Sequence, residues 1–272
     1  TLIIIGILTV FFVRGDILLL VISLALLFTA ALGLKNFLPQ FIAESRLLLN
    51  VGGVREHEQI VIDGVPWRVA SINLFSKFTN PEIQGILRLP LSSLKDLTSR
   101  PVKEEKWFPS SIGDWVLDGD NRLYEVIKQT PISVELQSAQ GTNKLVPTAA
   151  YFSAGFVNLT KSKQIRITSR FGVAYELQNI ALTDVPKVFK EAVTTHLSNA
   201  SLDTTNIDVR VEFASAGESS LDYLIIAHID SVASKYYYRI ERVIQQACVD
   251  ACNKQNWGIP FPQLTVHHLP AK

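Results

Sequence analysis

The sequence predicts an α-helical membrane segment followed by two small β barrels and a C-terminal α+β domain of the ferredoxin-like kind. Three observations predict it. Of the 51 charged side chains in 272 residues, only Arg14 and Asp16 fall within the first 34 positions. Strand and turn signals then recur at an offset of 56 to 57 residues. From Lys163 onward, strand-like runs alternate with amphipathic helical ones.

Residues 17–34 form an uncharged run of 18. At 1.5 Å per residue such a helix reaches about 27 Å, close to the hydrocarbon thickness of a bilayer. Residues 1–13 are also uncharged, and Arg14-Gly15-Asp16 between the two runs reads as the polar turn of a transmembrane hairpin. Because the chain opens inside an apolar run, it reads as a piece of a longer protein with further spans before Thr1. A cleaved signal peptide is the alternative, but the basic start and small-residue cleavage site it needs are missing. After Leu34 apolar residues continue at helical spacing between charges as far as Leu49, an amphipathic exit helix. Pro39 cannot donate to the carbonyl of Lys35, so a bend is expected around Asn36 and Pro39.

Ile60-Val61-Ile62-Asp63-Gly64-Val65 reads as a hairpin closed by an Asp-Gly turn. Trp115-Val116-Leu117-Asp118-Gly119 carries the same plan, and Glu58 and Asp114 precede the two runs by similar spacing. Pro90, after the first set of strands, is echoed by Pro147 after the second. Two consecutive β modules are therefore expected, each closing its own barrel in a separate sheet. Beyond them lie strands at 164–167, 207–213, 223–229 and 264–267 and helices at 182–197 and 235–254. This βαββαβ order is that of a split βαβ unit. The boundaries follow: 1–50 for the membrane hairpin and exit helix, 51–104 and 105–161 for the β modules, 162–272 for the α+β domain.

A mean hydropathy of +0.21 is high for a water-soluble globule. Two cysteines and a net charge of +1 exclude a disulfide framework and a globally basic nucleic-acid binder. Phosphate-cradling, zinc-protease, nucleophile-elbow and CxxC motifs are all missing, so no enzymatic activity and no cofactor are expected. Arg55-Glu56-His57-Glu58 reads as a solvated stretch entering a strand rather than a metal site. Cys248 and Cys252, four apart, share a helix face as free thiols, while His267 and His268 point to opposite faces of a strand. Tyr236-Tyr237-Tyr238 reads as packing. Asn158-Leu159-Thr160 and Asn199-Ala200-Ser201 are sequons only in an exported domain, and these domains are expected in the cytosol.

Several stretches together resemble the small-conductance mechanosensitive channel family, the MscS-like channels. Trp257-Gly258-Ile259-Pro260-Phe261-Pro262-Gln263-Leu264 is similar to the family's ending. Arg55, Glu58, Ile60, Gly64-Val65, Val69 and Phe75-Ser76 resemble the start of its β domain, and Gly172-Val173-Ala174-Tyr175 the opening of its α/β domain. The resemblance spans about residues 25 to 269 and departs from the family twice: a second β module follows the first, and the helix is not rich in glycine and alanine. The extra module implies a longer cytoplasmic neck.

The resemblance implies a homo-oligomer, usually a heptamer, in the cell membrane as a multi-pass protein, in bacteria the inner membrane. Its last transmembrane helices would be pore segments, and its β and α/β domains a cytoplasmic vestibule. Membrane tension would open the pore to ions and small osmolytes, with membrane lipids and copies of itself as partners and no nucleic acid. Matching Leu34, Leu38, Gln40 and Ala43 to the family's pattern puts the pore constriction at Phe28 and Leu32. A register shifted by one residue puts it at Thr29 and Gly33. A reading from a different class is a membrane-anchored oligomeric scaffold whose cytoplasmic domains bind a partner.

Overall fold

The computed structural model describes residues 2–103, 106–204 and 206–261. The chain forms two compact units that divide between Trp107 and Phe108.

The first unit begins with helix α1 (Leu2–Arg14) and helix α2 (Ile17–Leu48). Gly15 takes a positive φ of 76°, and the Gly15 and Asp16 amides donate to the Phe12 and Phe11 carbonyls at 3.2 and 3.1 Å. This is a Schellman closure, which fixes the expected polar turn. Helix α2 runs unbroken through Pro39, so the span and the exit helix are one element. A four-stranded antiparallel meander follows: β1 (Gln59–Ile62), β2 (Val65–Ser71), β3 (Phe75–Asn80) and β4 (Ile83–Pro90). Asp63 and Gly64, at φ 51° and 80°, make the expected two-residue turn. Pro90 leads into a 3-10 turn at Leu91–Leu94, whose two leucines are buried.

The second unit repeats this plan. It opens with β5 (Trp115–Leu117), β6 (Leu123–Gln129), β7 (Ser133–Ser138), β8 (Asn143–Pro147), helix α3 (Thr148–Ser153) and β9 (Val157–Asn158). Strand order is β8-β7-β6-β5-β9, against β1-β2-β3-β4 in the first unit. The likeness extends to single bonds. His57 donates to Val69 O and Val69 to Glu58 O, at 2.8 and 2.9 Å; Gly113 donates to Val126 O and Val126 to Asp114 O at the same two distances. Both valines are fully buried, and a bulge interrupts the strand pairing just after each. Leu91 donates to Leu74 O at 2.9 Å just as Thr148 donates to Ile132 O at 3.0 Å, each directly after its proline.

One difference explains why the offset grows from 56 to 57 along the repeat. Three residues, 119–121, lie between the hydrogen-bonded Asp118 and Arg122 where two lie between Ile62 and Val65, and the left-handed residue is Asn121, at φ 58°, rather than Asp118 or Gly119. The Asp118 carboxylate instead accepts the amides of Asp120 and Arg122 at 3.0 and 2.9 Å. The second Asp-Gly is thus a side-chain-capped turn and not a copy of the first. The two modules occupy separate sheets, as expected. Among the described residues the strand pairings of neither sheet run on into a closed ring.

The remaining elements are β10 (Gln164–Val173), α4 (Asp184–Asn199), β11 (Ile207–Ala216), β12 (Leu221–Asp230) and α5 (Tyr237–Gln255). Strand order β10-β12-β11, with both pairings antiparallel, places β12 between two strands joined through α4. That is the topology of a split βαβ unit. The expected last strand at 264–267, with His267 and His268, lies outside the described residues. Helix α4 buries Val185, Phe189, Val193 and Leu197 at a spacing of four, each contributing roughly 1.5–3 kcal/mol by leaving water. Helix α5 buries Ile240, Ile244, Cys248 and Cys252 on one face. Leu117, Leu123 and Leu159 of the second β module belong to the same apolar cluster as these helices. The Tyr238 hydroxyl adds a polar tie, accepting the Leu123 amide at 3.0 Å and donating to Asn121 O at 3.3 Å.

Candidate functional site

The residues singled out from the sequence all lie on α2. Phe28 and Leu32 are one turn apart on one face; Thr29 and Gly33 are one turn apart on a face rotated by about 100°. In the single chain Phe28 is 67% exposed and Leu32 50%. The Thr29 hydroxyl donates to Ala25 O at 2.8 Å, so its polarity is satisfied inside the helix rather than presented outward. A Cβ placed on Gly33 would meet nothing within 4 Å. The backbones of Asn36 and Pro39 continue the helix, and Phe37 stacks on Phe41 at 5.7 Å.

How α2 is held at its end is a feature the sequence did not reveal. Asn50 adopts φ 57°, and the Asn50 and Val51 amides donate to Leu47 O and Arg46 O, both at 3.0 Å, a second Schellman closure. From there hydrogen bonds run into the first sheet. Asn50 Oδ1 accepts the Glu56 amide and Glu56 Oε1 accepts the Ile72 amide, both at 2.7 Å. The Ser99 hydroxyl donates to the Glu58 carboxylate and accepts the Arg55 amide at 2.9 Å. The stretch 55–58 is therefore a clasp in which both carboxylates are occupied by neighbours of their own chain. Leu47, only 4% exposed, packs against Gly52, where an added Cβ would come within 2.8 Å of Leu47 Cδ2. These bonds tie the end of α2 to the entry of β1, the β2–β3 turn and the segment around Ser99.

Other sequence candidates fall into structural roles. Cys248 and Cys252 are buried, and burial pushes their thiols up to about 12 and about 11, which leaves no thiolate at neutral pH. Tyr236 donates to Asp203 Oδ2 at 3.0 Å, beside the Lys235–Asp203 pair at 2.9 Å. The two internal stretches quoted above for the C-terminal half meet in space: Ala174 donates to Gly258 O at 3.0 Å, and Trp257 packs edge-on against Phe189 at 6.0 Å.

No family model matches the chain, and no curated protein matches it. Among solved structures, MSL1 of Arabidopsis thaliana is similar over 57% of this chain and 54% of its own, at 15% identity and a TM-score of 0.41. A second structure of wild-type MSL1 gives 17% identity over 57% of this chain and 52% of its own, with a TM-score of 0.42. MscS of Helicobacter pylori, in its closed state, is similar over 97% of this chain and 83% of its own, at 14% identity and a TM-score of 0.43. The chain thus spans about half the length of the MSL1 chains it matches.

Proposed function

We propose that this chain is one subunit of a membrane channel opened by tension, assembled as a ring of identical copies with α2 lining the pore. The observation that carries this reading is α2 itself. It is a single 32-residue helix whose apolar stretch is not buried by its own chain, and whose far end is clasped to a β sheet. Such a surface needs lipid on one side and like helices on the other.

In this reading the constriction is formed by Phe28 and Leu32. A ring of large apolar side chains expels water from a narrow pore and blocks ions without a physical plug. A wider pore has a larger in-plane area, so tension stabilises the open state selectively; that is the differential interaction a population shift requires. The units 51–104, 105–161 and 162–272 form the cytoplasmic part, and the ring is a heptamer in the bacterial inner membrane. Its cargo is ions and small osmolytes.

The test is reconstitution of the purified protein in liposomes with patch recording under graded suction. Step currents that appear only under suction support the channel. A protein that inserts, assembles and stays silent up to the rupture tension of the patch contradicts it.

A further inference from the structure

Residues 17–43 of α2 contain a single charged side chain, Lys35. At 100° per residue, the angular positions of Leu32, Lys35 and Pro39 all fall within about 40° of Phe28. Lys35 therefore stands on the face that carries the proposed constriction, about 4.5 Å along the helix beyond Leu32. The competing face through Thr29 and Gly33 continues instead to Asn36 and Gln40, which carry no charge. The nearest carboxylate along the helix is Glu44, and it accepts the Gln40 side-chain amide at 2.9 Å. Lys35 is exposed in the single chain, with no ion-pair partner among the described residues.

We propose that Lys35 sets the charge preference of the pore, forming a cationic ring beside the hydrophobic constriction that favours small anions over small cations. This rests on the channel reading and on the Phe28 register. The physical basis is that a ring repeats one charge once per subunit within a few ångströms of a poorly hydrated passage. There neither solvent nor the ~8 Å screening length of physiological salt attenuates it strongly. Rings of lysine or arginine are a general device for anion pathways. A lysine on a lipid-facing side would instead extend its ammonium to the headgroups and leave permeation untouched.

The experiment is the reversal potential of the tension-activated current of the reconstituted protein in a potassium chloride gradient. The wild type should reverse on the chloride side of zero, Lys35→Gln close to zero, and Lys35→Glu on the potassium side, with all three opening under suction. Tension-gated current that reverses at zero in the wild type, or at one shared potential in all three, overturns the role of Lys35 while leaving the channel standing. Absence of any tension-gated current overturns both.

Discussion

Gln59 and Arg100 exchange two backbone hydrogen bonds of 2.8 Å each, 41 positions apart in the chain. The bridge gives the first β module the same extra partner beside its first strand that β9 gives the second, where Val116 pairs with Asn158. Gln59 is 3% exposed, so its carbonyl has no ready access to water. Arg100→Pro removes the donor to that carbonyl and is expected to cost about 1–3 kcal/mol, read as a lower thermal midpoint of the first unit. Arg100→Ala keeps both bonds and is the control for the side chain.

Gly52→Ala is expected to destabilise the junction between α2 and the first sheet by about 1–3 kcal/mol. The new Cβ would approach Leu47 at both Cδ2 and Cα, at 2.8 and 3.3 Å, so a rotamer change alone does not relieve it. The check is chemical unfolding of the purified protein. Under the channel reading the same variant also shifts the opening tension, because the clasp and the helix end move as one.

The Asp118 carboxyl is held below the usual carboxylate range. Burial works against this, but the amides of Arg122 and Asp120 and the Lys144 ammonium at 3.6 Å outweigh it. A lowered folded-state value means the stability it confers is present above the unfolded value and is lost as pH falls through the folded one. Asp118→Asn should therefore melt below the wild type at neutral pH, with the gap closing as pH drops below about 4. A gap independent of pH would assign the effect to turn geometry rather than to charge.

Much of this fold was legible because periodicity carries it. The uncharged run of α2, the spacing of four in α4 and α5 and the alternation in β10 are local patterns, and each element lies where its pattern falls. The tandem modules were legible because Glu58 and Asp114, and Pro90 and Pro147, occupy equivalent positions in one repeated plan. What was hidden depends on contacts distant in sequence. The segment 95–100 has no alternation to announce its pairing with Gln59. Asp118-Gly119 has the sequence of a tight hairpin, but its carboxylate caps a longer turn. The Asn50–Glu56–Ile72 chain of hydrogen bonds joins residues with no common motif. For the proposed constriction, the Phe28 and Thr29 faces of α2 satisfy the same helical spacing, so spacing alone does not separate them.

Single-channel patch recording of four variants tests whether the Phe28 and Leu32 face of α2 closes a tension-gated pore. Phe28→Ser and Leu32→Ser make the constriction easier to wet and should each lower the suction needed for opening, while Thr29→Leu and Gly33→Leu should conduct as the wild type does. If both serine variants open at the wild-type tension while Thr29→Leu or Gly33→Leu abolishes the current, the pore is lined by the other face and the assignment is contradicted.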